Sequence, residues 1–173
     1  MLKKIFWIVV VILGMAGCAT VPKGSGSPPV LENAFLSPEV NWGDTVKLYF
    51  RASDPDGDMK WVLTSVGQTA DTKGRPIYPG ANRLRGERQK SVSGCLVWDS
   101  HRAVAVQEGA KVGGQVAIWV EDAAGNSSEK KYLSVTILPS GAKVQSPPAG
   151  VFSEQAVGNI LIDTRDLMGA SGQ

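Results

Sequence analysis

Between Val30 and Leu138 the chain alternates apolar and polar residues in short runs, separated by Gly, Pro, Asp and Asn. A period of two puts every second side chain on one face and marks half-buried strands. In "TVKLYFRAS" Val46, Leu48, Phe50 and Ala52 share a face opposite Lys47, Tyr49 and Arg51. "QVAIWVED" turns Val116, Ile118 and Val120 inward, and "KKYLSVTIL" does the same with Leu133, Val135 and Ile137. In "MKWVLTSV" the same period places Trp61 and Leu63 on one face, which we assign to the core. "VLENAFL" and "SVSGCLVWD" complete the set, and no segment here carries an apolar helical period long enough to compete. About seven short strands between turns predict an all-β fold, a single β-sandwich of antiparallel strands.

The two flanks read differently. Basic MLKK, the apolar run Ile5 to Leu13 and the small residues Gly14, Ala16 and Gly17 have the order of a secretory signal over residues 1–17. The apolar run falls short of the ~18 residues that a spanning helix needs. Met15-Ala16-Gly17-Cys18 resembles the lipobox of bacterial lipoproteins. That resemblance implies cleavage before Cys18, acylation of Cys18 and a membrane anchor. Ala19 after the cysteine resembles the outer-membrane choice of Gram-negative lipoproteins. Acylation anchors through buried methylenes at ~0.8 kcal/mol each, and more than one chain is needed to hold firmly. Residues 18–29 then form a tether rich in Pro, Gly and Ser, and residues 139–173 read as a second linker and a flexible tail.

Charge and cysteine content narrow the function classes. Loss of residues 1–17 removes Lys3 and Lys4, so the formal charge falls from +2 to zero and argues for no nucleic-acid partner. With Cys18 acylated, Cys95 is the remaining thiol and His101 the sole histidine. An unpaired cysteine in an oxidising compartment is expected to be buried and inert. No serine lies in a nucleophile elbow, and Asp99-Ser100-His101 are merely consecutive. No enzyme is expected from this chain, and a hydrolase ranks last among the readings.

"GDTVKLYFRASDPDGD" followed by "VAIWVEDAAGNSS…YLSVTI" resembles the Ig-like domains of bacterial surface proteins, including PKD-type and cadherin-like repeats. The resemblance spans roughly residues 29–138, with the sandwich itself at 30–138. It implies that Asp-Pro-Asp-Gly-Asp links the second and third strands, that Asp-x-Ala-Gly-Asn joins the last two, and that Trp61 is the core tryptophan. A long insertion after Val66 and the lack of a disulfide between the sheets depart from the pattern.

Three constellations are candidates for binding. Asp54, Asp56 and Asp58, joined by Asp122 if both turns share one end, offer hard oxygen ligands for a structural Ca²⁺; the alternative is that they cap turn amides. The insertion "KGRPIYPGANRLRGERQK" carries Arg83, Arg85 and Arg88, a basic element for anionic lipid, a glycan or an acidic partner, or else a solvated loop. Trp98 and Trp119 oppose the parity of core positions, which would suit an exposed platform stacking on sugar rings; a covered second face is the other reading. The expectation is a lipid-anchored envelope protein, a non-catalytic binding or structural module. Its partner would be an envelope protein or a cell-wall glycan.

Overall fold

A computed structural model describes residues 26–67, 80–86, 89–100 and 111–160. Nine strands run through them: β1 (Val30–Phe35), β2 (Glu39–Asn41), β3 (Thr45–Ser53), β4 (Met59–Gly67), β5 (Gly80–Arg83), β6 (Ser91–Asp99), β7 (Val112–Asp122), β8 (Lys131–Leu138) and β9 (Ala156–Ile160). They form two sheets, in the orders β1-β3-β6-β9 and β2-β8-β7-β4-β5. The all-β sandwich expected from the alternation is therefore present, with two additions. After β1, Leu36-Ser37-Pro38 carries the chain from one sheet to the other, where β2 lies parallel to β8. At the other end β9, drawn from the segment expected to be a flexible tail, lies parallel to β6.

The core forms where the inner faces meet. Leu48, Phe50, Leu96 and Trp98 of the four-stranded sheet meet Val62, Val116, Ile118, Val120, Val135 and Ile137 of the other, all essentially inaccessible to water. Burying each such side chain is worth ~1.5–3 kcal/mol, which makes this layer the main source of stability. Strands β3, β7 and β8 turn inward the residues that their alternation predicts.

Strand β4 does not. Its ladder with β7 runs Met59↔Asp122 and then Trp61↔Glu121, so one extra residue is inserted between Met59 and Trp61. A bulge of this kind shifts the side-chain parity downstream of it. Met59, Val62, Thr64 and Val66 are buried, while Trp61 and Leu63 point outward and are half-buried. Trp61 is thus not the core tryptophan; Trp98 of β6 fills that role.

The chain after β8 wraps the sandwich. Ala142 donates its N–H to Asn41 Oδ1 at 2.8 Å, Lys143 to Glu39 Oε2 at 3.0 Å and Gln145 to Ser37 Oγ at 2.9 Å. Further on, Phe152 packs on Tyr49 and the Ser153 N–H reaches Ser93 Oγ at 2.9 Å. The segment then becomes β9. Gly94 makes this approach feasible, since a Cβ there would lie 2.7 Å from the Gln155 carbonyl oxygen and from Val157.

Candidate functional site

The two acidic turns do share one end of the sandwich, where the Ala123 N–H bonds to the Asp58 carbonyl at 3.0 Å. Gly57 and Gly125 supply the left-handed backbone conformations, at φ 75° and 84°, that these tight turns require. Asp54 is buried, and its carboxylate accepts the N–H groups of Asp56 at 3.0 Å and Asp58 at 3.2 Å. Asp122 is buried too and takes the backbone and side-chain N–H groups of Asn126, both at 2.7 Å. Asp56 is exposed and accepts the Ser27 N–H. These carboxylates are committed to holding the turns, the capping alternative for such residues. Among the described residues no group of three or more Asp, Glu, His or Cys side chains is arranged to hold a metal ion. Of the two readings of Asp54, Asp56, Asp58 and Asp122, the hydrogen bonds among the described residues follow the capping one, and no Ca²⁺ cage is assembled there.

Asp58 is the strained member of the cluster. Its Oδ1 is buried with no hydrogen-bond partner among the described residues. Burial pushes its carboxyl above the ordinary carboxylate range, helped by a hydrogen bond with Asp54 and by the charges on Asp122 and Asp54. Carboxylates crowded together cannot all ionise freely, so a proton is held here more tightly than in the unfolded chain.

The basic insertion is split by the fold. Arg83 is exposed on the outer face of the five-stranded sheet, opposite Trp61 in register. Leu84 is buried, and its N–H bonds to the Lys60 carbonyl at 2.9 Å, which anchors the link that follows. Arg85 is exposed beyond that anchor and faces a different space. Arg88 lies outside the described residues, as do Cys18, His101 and residues 68–79.

Neither tryptophan offers an open stacking surface. Trp98 is 1% exposed, inside the core, with Val46 opposite it on β3. Trp119 is on the outer face of β7 but only 8% exposed, and the Lys130 ammonium sits 4.3 Å from its ring centroid. Of the two readings of the pair, the exposed platform is not formed. The open aromatic on this face is Tyr132, 60% exposed, opposite Ala117. Its parity against Leu133, Val135 and Ile137 is readable from the sequence.

The C-terminal segment covers the part of the four-stranded sheet's outer face that holds Tyr49 and Cys95. Glu154 accepts from Lys47 Nζ at 2.8 Å and from the Tyr49 hydroxyl at 3.0 Å. The Lys47 bond, then the Tyr49 bond, holds the Glu154 carboxyl below its ordinary range, and the same Glu154 bond raises the Lys47 ammonium. Burial, and secondarily Glu154, pushes the Tyr49 hydroxyl up. Cys95 lies beneath, buried, with its Sγ 3.8 Å from the Glu154 carbonyl and its thiol pushed up by burial. Cys95 is thus buried, as expected of an unpaired cysteine.

A cleft of ≈ 670 Å³ opens at the sandwich edge where β5 and β9 approach. Its walls are the β5–β6 link with Arg85 and Gln89, the first residues of β6, and β9 from Gln155 to Asn159. Sequence reasoning missed this cleft because one wall comes from the tail.

The chain matches no family model and no curated protein. Among solved structures it is similar to the PKD domain of an M14-like peptidase from Thermoplasmatales archaeon SCGC AB-540-F20, at 20% identity and a TM-score of 0.37. That match covers 65% of this chain and 98% of the other. It is also similar to part of the β-glucosidase from Listeria innocua in complex with isofagomine, at 13% identity and a TM-score of 0.40, over 66% of this chain and 16% of the enzyme. The two-sheet architecture itself rests on the strand pairing described above.

Proposed function

We propose that this chain is a lipid-anchored module of a bacterial cell envelope, held at the outer membrane through Cys18, that binds or braces an envelope protein without catalysing a reaction. The observation that carries this reading is the placement of Met15-Ala16-Gly17-Cys18 twelve residues ahead of Val30, where the first strand begins. Twelve extended residues reach at most ~40 Å, so the sandwich would stand close to the bilayer on a tether of Pro, Gly and Ser. A protein partner is favoured over cell-wall glycan because Trp98 is in the core and Trp119 is capped by Lys130. Labelled palmitate is expected to enter the full-length protein and not its Cys18→Ala variant, and the wild type is expected in the membrane fraction. Equal labelling of the two would defeat the anchor. Retention of the protein on purified cell-wall polysaccharide, with none on envelope proteins, would reverse the choice of partner.

A further inference from the structure

We infer that the free edge of β3, from Thr45 to Lys47, is a docking site for an extended segment of a partner protein that carries a basic side chain. Strand β1 pairs with β3 as far as Phe35↔Tyr49 and stops there, although β3 begins at Thr45. On its other side β3 pairs with β6 over its whole length without a register shift. The bonds at the two ends of that ladder show which way the backbone groups point. The Asp54 N–H reaches the Lys90 carbonyl at 2.9 Å, and the Asp44 carbonyl accepts the Ser100 N–H at 3.2 Å. Backbone groups alternate sides along a strand, so the even-numbered residues of β3 bond towards β6 and the odd-numbered ones point away from it. Cys95, opposite Tyr49, agrees: its N–H turns away from β3, to the Gln155 carbonyl at 2.9 Å. Tyr49 meets β1. Thr45 and Lys47 point the same way, are exposed, and have no strand beside them among the described residues.

The space beside them is a cleft of ≈ 330 Å³. Phe35 and Ser37 line it where β1 departs, and Val144 to Pro147 of the C-terminal segment line it as well. Val40 and Val46, both core residues, line it too. A strand of three residues laid along Thr45 to Lys47 spans ~10 Å. Its first and third residues would exchange N–H and C=O bonds with Lys47 and Thr45. Its second, opposite Val46, would turn its side chain inward as Val46 does, which suits a small apolar residue.

Charge complementarity sets the third residue. Lys47 is already paired with Glu154 at 2.8 Å. Asp44, which lines the cleft next to Thr45, accepts from Asn41 Nδ2 at 2.9 Å and makes no ion pair among the described residues. A long basic side chain opposite Thr45 would complement it. A simple cation would meet Asp44 alone, whereas an extended peptide also takes up the open backbone groups, the usual way in which a free sheet edge is occupied. That the peptide belongs to an envelope protein rests on the function proposed above; the open edge does not.

The test uses the chain from residue 18 onward carrying Cys18→Ser, so that failure at the edge leaves the palmitate test of the anchor untouched. Amide exchange is measured first without peptide. The Thr45 and Lys47 amides should exchange at least about tenfold faster than those of Val46 and Leu48, which bond to β6. Acetyl-Ser-Thr-Val-Lys-Ser-amide should then shift the Thr45 and Lys47 amides in backbone NMR. Its counterpart N-methylated at Thr and Lys, which lacks the two donors, should not bind. A counterpart with Glu in place of Lys should bind about fivefold more weakly, as ~1 kcal/mol between exposed charges implies, and Asp44→Asn should remove that difference. Thr45 and Lys47 amides protected without peptide would mean that the chain fills its own edge and would overturn the assignment. So would shifts elsewhere, no shift at millimolar peptide, undiminished binding of the N-methylated peptide, or equal affinity for the Lys and Glu peptides.

Discussion

The outer faces of the two sheets are built from similar residues but end in different states. On the four-stranded sheet Tyr49 points outward yet is 7% exposed, because Phe152 and Glu154 close over it. On the five-stranded sheet Tyr132 also points outward and is 60% exposed. The difference lies in the C-terminal segment, which crosses one face and adds β9 to its edge. An outward position in a strand therefore does not predict exposure when a distant segment returns to cover it. Around Tyr49 the first face belongs to the folded body, and around Tyr132 the second remains available to solvent.

The largest effect that calibrates this contrast comes from inside. Trp98→Ala removes a fully buried indole and should cost ~3–5 kcal/mol, whereas Trp61→Ala on the outer face should cost well under half of that. Urea unfolding of both variants measures the pair, and a reversed order would put Trp61 back in the core and remove the β4 bulge. Tyr49→Ala should follow with a loss of ~2–4 kcal/mol, as a buried aromatic does, against no more than ~0.5 kcal/mol for Tyr132→Ala. Equal losses would mean that the two faces are covered alike.

A smaller effect involves pH, at the turn that opens β4. The Asp58 carboxyl is raised above its unfolded value by burial and by its acidic neighbours. Its contribution is then fully present below the unfolded carboxylate pKa and is lost as pH rises through the folded one. Asp58→Asn keeps the site neutral throughout. The variant should gain stability relative to wild type across that window and stay ahead at neutral pH, as followed by denaturant unfolding at a series of pH values. A gain that is constant with pH would show that Asp58 is not the group titrating.

These contrasts also mark how far the sequence could be read. Strands β3, β7 and β8 were legible because an apolar residue recurs at every second position along the inner face of each, as with Val46, Leu48, Phe50 and Ala52. Strand β4 was legible as a strand and illegible in its facing. A bulge is a property of the pairing with β7, and nothing in "MKWVLTSV" announces it. Strand β9 has the sequence AVGNI, too short to show a period and interrupted by Gly158, and its approach depends on Gly94 of another strand. The acidic turns were legible as turns, with their sharing one end left as a condition that the fold meets, and whether carboxylates hold a metal or backbone amides depends on where their lone pairs point. Arg85 was legible as a cation; its separation from Arg83 depends on the burial of Leu84 between them.

The claim on which the rest depends is that the C-terminal segment is part of the sandwich and covers Tyr49 and Cys95 on the outer face of the four-stranded sheet. In the chain carrying Cys18→Ser, Cys95 is the only thiol, and it lies directly beneath that segment. Its reaction rate with a disulfide reagent under native conditions is therefore the direct measurement. The thiol should be protected in the otherwise unaltered chain and should react at least about tenfold faster in Gly94→Val, where added side-chain atoms would strike Gln155 and Val157. Circular dichroism should show that the remaining strands of that variant persist. Rapid reaction without Gly94→Val would contradict the account, as would a Gly94→Val variant that folds and leaves Cys95 fully protected.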